Sequence, residues 1–150
     1  LFEYPAPLNT ETRVSDILDA EPKSSLTISN RLWSGHQKRK RDNKMKGKGF
    51  GYSLVDPQAN HTNTLSARYY KDGSEILIAQ ENANPRMLST REAARLQGFP
   101  EEFIICDSAV RAYKQFGNSV SIPVVEACAL QIKKCLAKQP GNQLAPEITK

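Results

Sequence analysis

Cysteine is scarce: three in 150 residues, an odd number that excludes a self-contained disulfide scaffold and fits free thiols in a reducing compartment. Long hydrophobic runs are missing too. No apolar stretch approaches the roughly 18 residues that a membrane span needs. The opening Leu1-Phe2-Glu3-Tyr4-Pro5 has neither the basic nor the apolar region of a signal peptide. A cytoplasmic protein with no membrane partner is therefore expected. Histidine occurs only at 36 and 61. Cys128 and Cys135, on one expected helix, stand about 10 Å apart at 1.5 Å per residue, too far to share a zinc ion. No metal site is expected.

What is abundant is positive charge, unevenly spread. Between Lys38 and Lys48 stand seven basic residues and one acid, a local +6 in a chain whose net charge is +5. Everything else sums to −1. Such a patch fits a polyanion, most commonly nucleic acid, or a solvated basic loop, and charge alone does not separate the two.

The chain reads as a succession of short elements. Leu1 to Asn9 looks like an extended lead-in. Thr12 to Leu18 suits one or two helical turns with Val14, Ile17 and Leu18 on one side, stopped by Glu21-Pro22. Ser29 caps an expected helix over Asn30 to Arg41. After Gly47, Gly49 and Gly51 the texture turns β-like. Phe50, Tyr52 and Leu54 alternate with smaller residues, Leu65 to Tyr70 and Glu75 to Gln80 read as strands, and Lys71 to Ser74 supplies a turn between these two. Ser89-Thr90-Arg91-Glu92 is a capping box, and Gly98 ends the helix it starts. A second helix is expected from Ser108 to Phe116, closed by Gly117, and a third begins with Pro123 in its first turn. On that third helix Val125, Cys128, Ala129, Ile132, Cys135 and Leu136 share a face that needs a hydrophobic body to pack on. Gln139 to Lys150 has two prolines and no apolar period, which predicts a disordered tail.

Few of these residues announce chemistry. The glycine run from 47 to 51 lacks the preceding strand and following helix of a nucleotide loop, and reads better as a flexible DNA-facing or hairpin loop. Cys106 follows Phe103-Ile104-Ile105 and fits packing better than catalysis. The run Gln58-Ala-Asn-His-Thr-Asn-Thr64 offers amides, an imidazole and hydroxyls that can read base edges, or simply forms a polar loop.

Two longer stretches carry more. Pro85-Arg-Met-Leu-Ser-Thr-Arg-Glu-Ala-Ala-Arg-Leu-Gln-Gly-Phe-Pro100 resembles the ninth conserved motif of bacterial DNA cytosine-5 methyltransferases, and Tyr113-Lys-Gln-Phe-Gly-Asn-Ser-Val-Ser-Ile-Pro-Val124 resembles their tenth. Asn63-Thr-Leu-Ser-Ala67 is similar to the threonine-leucine dipeptide that closes the family's target-recognition region. The resemblance implies an enzyme that flips a cytosine out of the duplex and transfers a methyl group from S-adenosylmethionine to C5, as in restriction-modification systems. The family's Pro-Cys, Glu-Asn-Val and glycine-rich cofactor motifs are not in this chain. These residues alone are therefore expected to hold no catalytic residue and to be inactive.

The resemblance implies an α+β chain. Its small, mostly-β target-recognition lobe with irregular loops is followed by C-terminal helices that pack on a Rossmann-like adenosylmethionine-dependent lobe not contained in this sequence. The implied boundaries are a lead-in from the catalytic lobe over 1–8, the recognition lobe over 9–94, and hinge and connecting helices over 95–117. A helix returning to the catalytic lobe follows over 118–138, then the tail over 139–150. Thr64 and Leu65 match the dipeptide that orders the recognition loops, which places both among the implied DNA contacts, with Thr64 near the DNA backbone. Arg91, Glu92 and Arg95 match the chiefly structural ninth motif, and Asn118 and Ser119 match the turn bordering the adenosylmethionine pocket. Lys38, Arg39, Lys40, Arg41, Gln58, Asn60 and Asn63 lie in the variable region, where charge and hydrogen-bonding capacity alone make them DNA-binding candidates. The expected partners are double-stranded DNA and an N-terminal catalytic half, in the same or a second polypeptide. A stand-alone DNA-binding module, or the small subunit of a split enzyme, is the competing reading.

Overall fold

Ser29, Ser89 and Ser108 each stand just before a helix, and each hydroxyl accepts the backbone N–H three residues on, from Leu32, Glu92 and Arg111. These caps set the register of three of the four helices in the computed structural model, which describes residues 2–7 and 9–137. The helices are α1 (Asn30–Met45), α2 (Thr90–Leu96), α3 (Ala109–Asn118) and α4 (Ile122–Ala137). Single 3-10 turns occupy Val14–Ile17, Ser24–Leu26 and Tyr69–Lys71. The expected tail and the last residue of the expected C-terminal helix lie outside the described residues, as do two residues of the lead-in.

The β content is far smaller than the sequence texture predicts. Only β1 (Leu54–Val55) and β2 (Leu77–Ile78) are strands among the described residues, and they run parallel, with Leu54 beside Leu77 and Val55 beside Ile78. Arg86 extends the ladder by single antiparallel bridges to Ile78 and to Thr27. The strand expected over Leu65 to Tyr70 is instead a turn. Tyr69 N–H bonds to Ser66 O, Lys71 N–H to Arg68 O, and Gly73 N–H to Tyr69 O. The buried residues Leu65 and Tyr69 are four apart, a helical-turn spacing that an alternation count reads as strand. Gly73, at φ +63, closes this turn against the Met87 side chain, so the expected turn exists but joins a 3-10 turn to β2.

The core is one cluster that includes Val14, Val55, Leu65, Tyr69, Ile76, Ile78, Leu88, Ala93, Ala94, Tyr113 and Phe116. Two tyrosines bring polar atoms into it. Tyr69 Oη donates to Ile76 O (2.7 Å) and accepts Leu88 N–H (2.7 Å), while Tyr113 Oη donates to Leu88 O (2.6 Å). Burial pushes the Tyr113 phenol up to about 12 and Tyr69 higher still, so both stay neutral donors.

Beside the cluster lies a buried ion pair. Arg86 reaches both oxygens of Glu92 at 2.8 Å, with Arg86 3% and Glu92 0% exposed. Glu92 Oε1 also accepts Asp19 N–H (2.8 Å), and Oε2 accepts Ser89 N–H (2.7 Å), completing the capping box of α2. The carboxylate thus holds the residue after the first turn, the bridging residue Arg86 and the start of α2 in one geometry.

No described residue of α4 is buried. Val125 and Ile132, expected to face a hydrophobic body, are 48% and 50% exposed, and Val124 and Leu130 are more so. Much of that apolar face is thus left uncovered by the described residues.

Removing the Glu92 carboxylate leaves a buried guanidinium without its counter-charge, which generally costs about 3–5 kcal/mol. Glu92→Ala should therefore lower the urea midpoint drastically or prevent folding. A Glu92→Ala midpoint within error of the wild type would contradict this role.

Candidate functional site

The basic run is helical, and the helix divides it. Arg39 turns inward: its guanidinium donates to Gly51 O (3.1 Å), pairs with Asp72 (3.2 Å) and meets His36 Nδ1 at 2.9 Å. Lys40 lies over the Tyr52 ring, 4.2 Å from its centre, and reaches Tyr52 O. Lys38 and Arg41 are exposed and form no ion pair among the described residues. Of the four cations expected to bind DNA, two are thus partly engaged in holding α1 to its own lobe. The glycine loop is tied down as well. Asn43 bonds to Phe50 O (2.7 Å), and a Cβ at Gly51 would sit 2.6 Å from the Lys40 Cα.

The polar run 58–64 packs on the segment 9–13. Arg13 donates to Gln58 Oε1 (3.1 Å), Thr12 Oγ1 donates to Asn60 O (3.1 Å), and Asn60 Oδ1 meets His61 Nδ1. Gln58 and Asn60 remain exposed along a polar cleft, but each amide oxygen already has a partner. Asn63 and Thr64 are exposed. Leu65 is 3% exposed and belongs to the core, so its side chain anchors the loop and is not available to a ligand, contrary to its placement among the DNA contacts.

The turn after α3 is bracketed by one residue. Gln97 Nε2 donates to Phe116 O (3.0 Å) and Gln97 O accepts Ile122 N–H (2.9 Å), so both ends of the stretch 117–121 hang on Gln97. Gly98, at φ +81, faces Pro123, whose Cδ would lie 2.5 Å from an added Cβ. Ser119 Oγ donates to Phe116 O (2.7 Å), while Asn118 is exposed. Beside the turn lies a cavity of about 690 Å³ bordered by Phe99, Asn118, Ser119, Val120 and Glu126. The Val120 and Ser121 N–H groups make no hydrogen bond among the described residues. Asn118 and Ser119 thus both border this cavity, whose wall is aromatic and aliphatic with free amides and a carboxylate at its edge.

Gly117 has a different job from the one its position predicts. It lies inside α3 and does not close it; a Cβ there would overlap the Ser66 carbonyl and the Ala67 nitrogen. Only a glycine lets α3 approach the backbone that follows Thr64-Leu65 so closely. The ninth-motif arginines are structural. Arg95 binds Asp19 (2.6 Å), Glu101 (2.7 Å) and Ile17 O, and Arg91 caps Pro100 O and Phe103 O. Burial alone would raise the Asp19 carboxyl, but hydrogen bonds from Arg95 and Ser89 outweigh it and hold the group below the ordinary range.

The chain is similar in sequence and in fold to known proteins. The family described as C-5 cytosine-specific DNA methylase matches residues 1–134. The chain belongs to that family. It is 57% identical over 137 residues to Type II methyltransferase M1.ScrFI of Lactococcus lactis subsp. cremoris, a match covering 91% of this chain and 35% of the relative. Over 136 residues it is 54% identical to M.NlaX of Neisseria lactamica, covering 91% and 44%. The chain therefore spans well under half the length of these curated relatives. Its fold is similar to that of S. pombe Dnmt2 methyltransferase, with TM-score 0.67, 19% identity, and coverage of 85% of this chain and 44% of that one. Entamoeba histolytica methyltransferase EhMeth gives TM-score 0.69, 19% identity, and coverage of 89% and 44%.

Within this C-5 methylase family chain, the residues that sequence reasoning missed are the braces. Gln97, Tyr69 and Tyr113 act through partners 19 to 25 positions away, and Arg86 through Glu92 and its backbone bridges to Ile78 and Thr27. The only local signal was that three of them lie inside the two motif stretches. His36 is another: it is 1% exposed, donates Nε2–H to Asp72 O (3.2 Å) and accepts from Arg39 at Nδ1, which requires the neutral ring. Burial lowers its pKa below the ordinary 6.5, and the Arg39 charge adds to this, although Asp72 opposes it. The unfolded chain then takes up a proton near 6.5 that the folded one refuses, so stability should fall as pH drops below about 6.5. His36→Gln should flatten this part of the urea-midpoint profile above pH 5. Superimposable wild-type and variant profiles would remove His36 as the cause.

Proposed function

We propose that this chain is the target-recognition and C-terminal part of a DNA cytosine-5 methyltransferase of restriction-modification type, acting in the cytoplasm on double-stranded DNA. The whole enzyme would flip a cytosine from the duplex, because its C5 is unreachable in the stack. S-adenosylmethionine would supply the methyl group. This chain's own contribution is to orient both ligands. Thr64 and the exposed α1 cations face the DNA backbone, Asn63 and, after release of their internal bonds, Gln58 and Asn60 face the bases, and Asn118 with Ser119 borders the cofactor. In this reading the domain limits are those implied by the motifs, with 9–94 as recognition lobe and 118–138 returning to the catalytic lobe.

The observation that carries the reading is the seat of Gly117 on Ser66-Ala67. It joins the stretch after Thr64, whose side chain faces the DNA in this reading, to the turn beside the cofactor as one rigid unit, which a recognition module that had lost its enzyme does not need. The bare apolar face of α4 supports the same choice against a stand-alone module, because about 25 cal/mol per Å² of apolar surface is gained when a second lobe covers it.

The test is a replacement. Put in place of the 137 aligned residues of the Lactococcus lactis relative, this chain should yield an enzyme that methylates duplex DNA, while the 150-residue chain alone should transfer no methyl group. Methyl transfer by the purified chain, or a folded, cofactor-binding replacement enzyme that methylates nothing, would overturn the proposal.

In the same enzyme Asn118→Ala should weaken S-adenosylmethionine binding by about tenfold or less, the worth of roughly one hydrogen bond, and leave DNA affinity unchanged. Calorimetry with cofactor unchanged and DNA weakened would reverse the assignment of this turn.

A further inference from the structure

Three cations from distant parts of the chain line one groove of about 340 Å³: Arg39 on α1, with Arg68 and Lys71 on the 3-10 turn. The groove also holds two acids, but both are engaged. Asp72 binds Arg39 and the Ser74 N–H, and Glu75 accepts the Ser66 hydroxyl. Arg68 and Lys71 are exposed and form no ion pair among the described residues. The track continues onto α3, where Lys114 lies 5.2 Å from the centre of the Tyr70 ring, next in sequence to Lys71. On α1 itself Lys38 and Arg41, three positions apart and so neighbours on the helix surface, are exposed as well. The turn presenting the middle of the track is rigid. Tyr69, between Arg68 and Tyr70, is fully buried and bonded to Ile76 and Leu88, and Gly73 is locked against Met87.

We propose that Arg68, Lys71 and Lys114 form, with the outward cations of α1, a continuous contact line for the phosphates of duplex DNA, running across the recognition lobe onto α3. The inference rests on the proposed function and adds residues that neither composition nor motif matching singled out. Its logic is spacing. Exposed cations distributed over three elements, with no convergent cradle of backbone amides, suit a repeating anion better than a single phosphate. Contacts of this kind position the duplex without reading it, so they should affect every sequence alike.

The experiment measures binding of fluorescent 20-base-pair duplexes to the full 150-residue chain between 50 and 300 mM salt. The variants are the triple Arg68→Gln, Lys71→Gln, Lys114→Gln and, as an off-track control, Lys23→Gln. The triple variant should bind all duplexes more weakly, with a salt slope shallower by about 0.9 per contact, roughly 2.7 in all. The control should keep the wild-type slope. Arg68→Lys combined with Lys71→Arg should also keep it, which a merely structural role for these side chains would not produce. An unchanged slope in the triple variant, or tighter binding of a structured RNA of equal length by the wild type, overturns the contact line while leaving the methyltransferase reading to its own test. If the wild-type chain binds no duplex at all, the contact line falls, while the methyltransferase reading keeps its own replacement test.

Discussion

A single carboxylate holds the centre of the fold in shape. Glu92 accepts four hydrogen bonds, two from Arg86 and one each from the backbone N–H groups of Asp19 and Ser89. Taking two charges out of water is costly, and a buried pair is tolerated only when the remaining polar atoms are satisfied. Here they are: no buried side-chain polar atom among the described residues lacks a partner. The return on that cost is geometric. With so few residues in strands, little ladder bonding is available to set how the segments lie. The carboxylate therefore does what a sheet would do elsewhere, fixing the first 3-10 turn, the Arg86 bridge and the start of α2 against one another.

The tyrosines extend the same principle toward the two candidate ligand faces. Leu88 N–H is satisfied by Tyr69 and Leu88 O by Tyr113, so one backbone residue is clamped between the turn that presents Arg68 and Lys71 and the helix that ends at Asn118. The rings meet edge to face at 5.2 Å. Because Gly117 also lies on Ser66-Ala67, α3 cannot shift without moving the backbone beyond Thr64. Rigidity between these two stretches follows from packing of this density.

Local chemistry was legible wherever its partner lay within a few residues. Ser29, Ser89 and Ser108 cap the helices they precede, and Gly98 has the positive φ expected of a helix end. What failed depended on distant partners. Leu65 and Tyr69 look like strand residues until their bonds to one core and one turn are seen. Gly117 looks like a terminator because its neighbour, Ser66, is far away in sequence. The basic run read as uniform, yet Asp72, Gly51 and Tyr52 engage two of its four leading cations. Gln58 and Asn60 looked free because Arg13 and Thr12, more than 40 positions earlier, are invisible to a local reading. Of the candidate site, the motif matches located the Asn118 turn, but nothing local pointed to Gln97 as its support.

The two proposed interfaces of the chain obey opposite physics. The cation line from α1 to Lys114 gains its attraction by releasing counterions from DNA, and salt weakens it steeply. The face of α4 that carries Val124, Val125, Leu130 and Ile132 gains by removing apolar surface from water, which salts such as sulfate strengthen. Salt would thus weaken the first proposed interface while leaving the second intact or stronger. Separating the interfaces by chemistry also explains why the charged residues of α4 do not face the same demand as those of α1. Lys134 lies at the negative end of its helix, where a cation is favoured by the backbone dipole alone. The connection between the two proposed interfaces is then mechanical, carried by Gln97, Gly98 and Gly117, whose contacts tie the end of α2, α3, α4 and the Ser66-Ala67 backbone to one another.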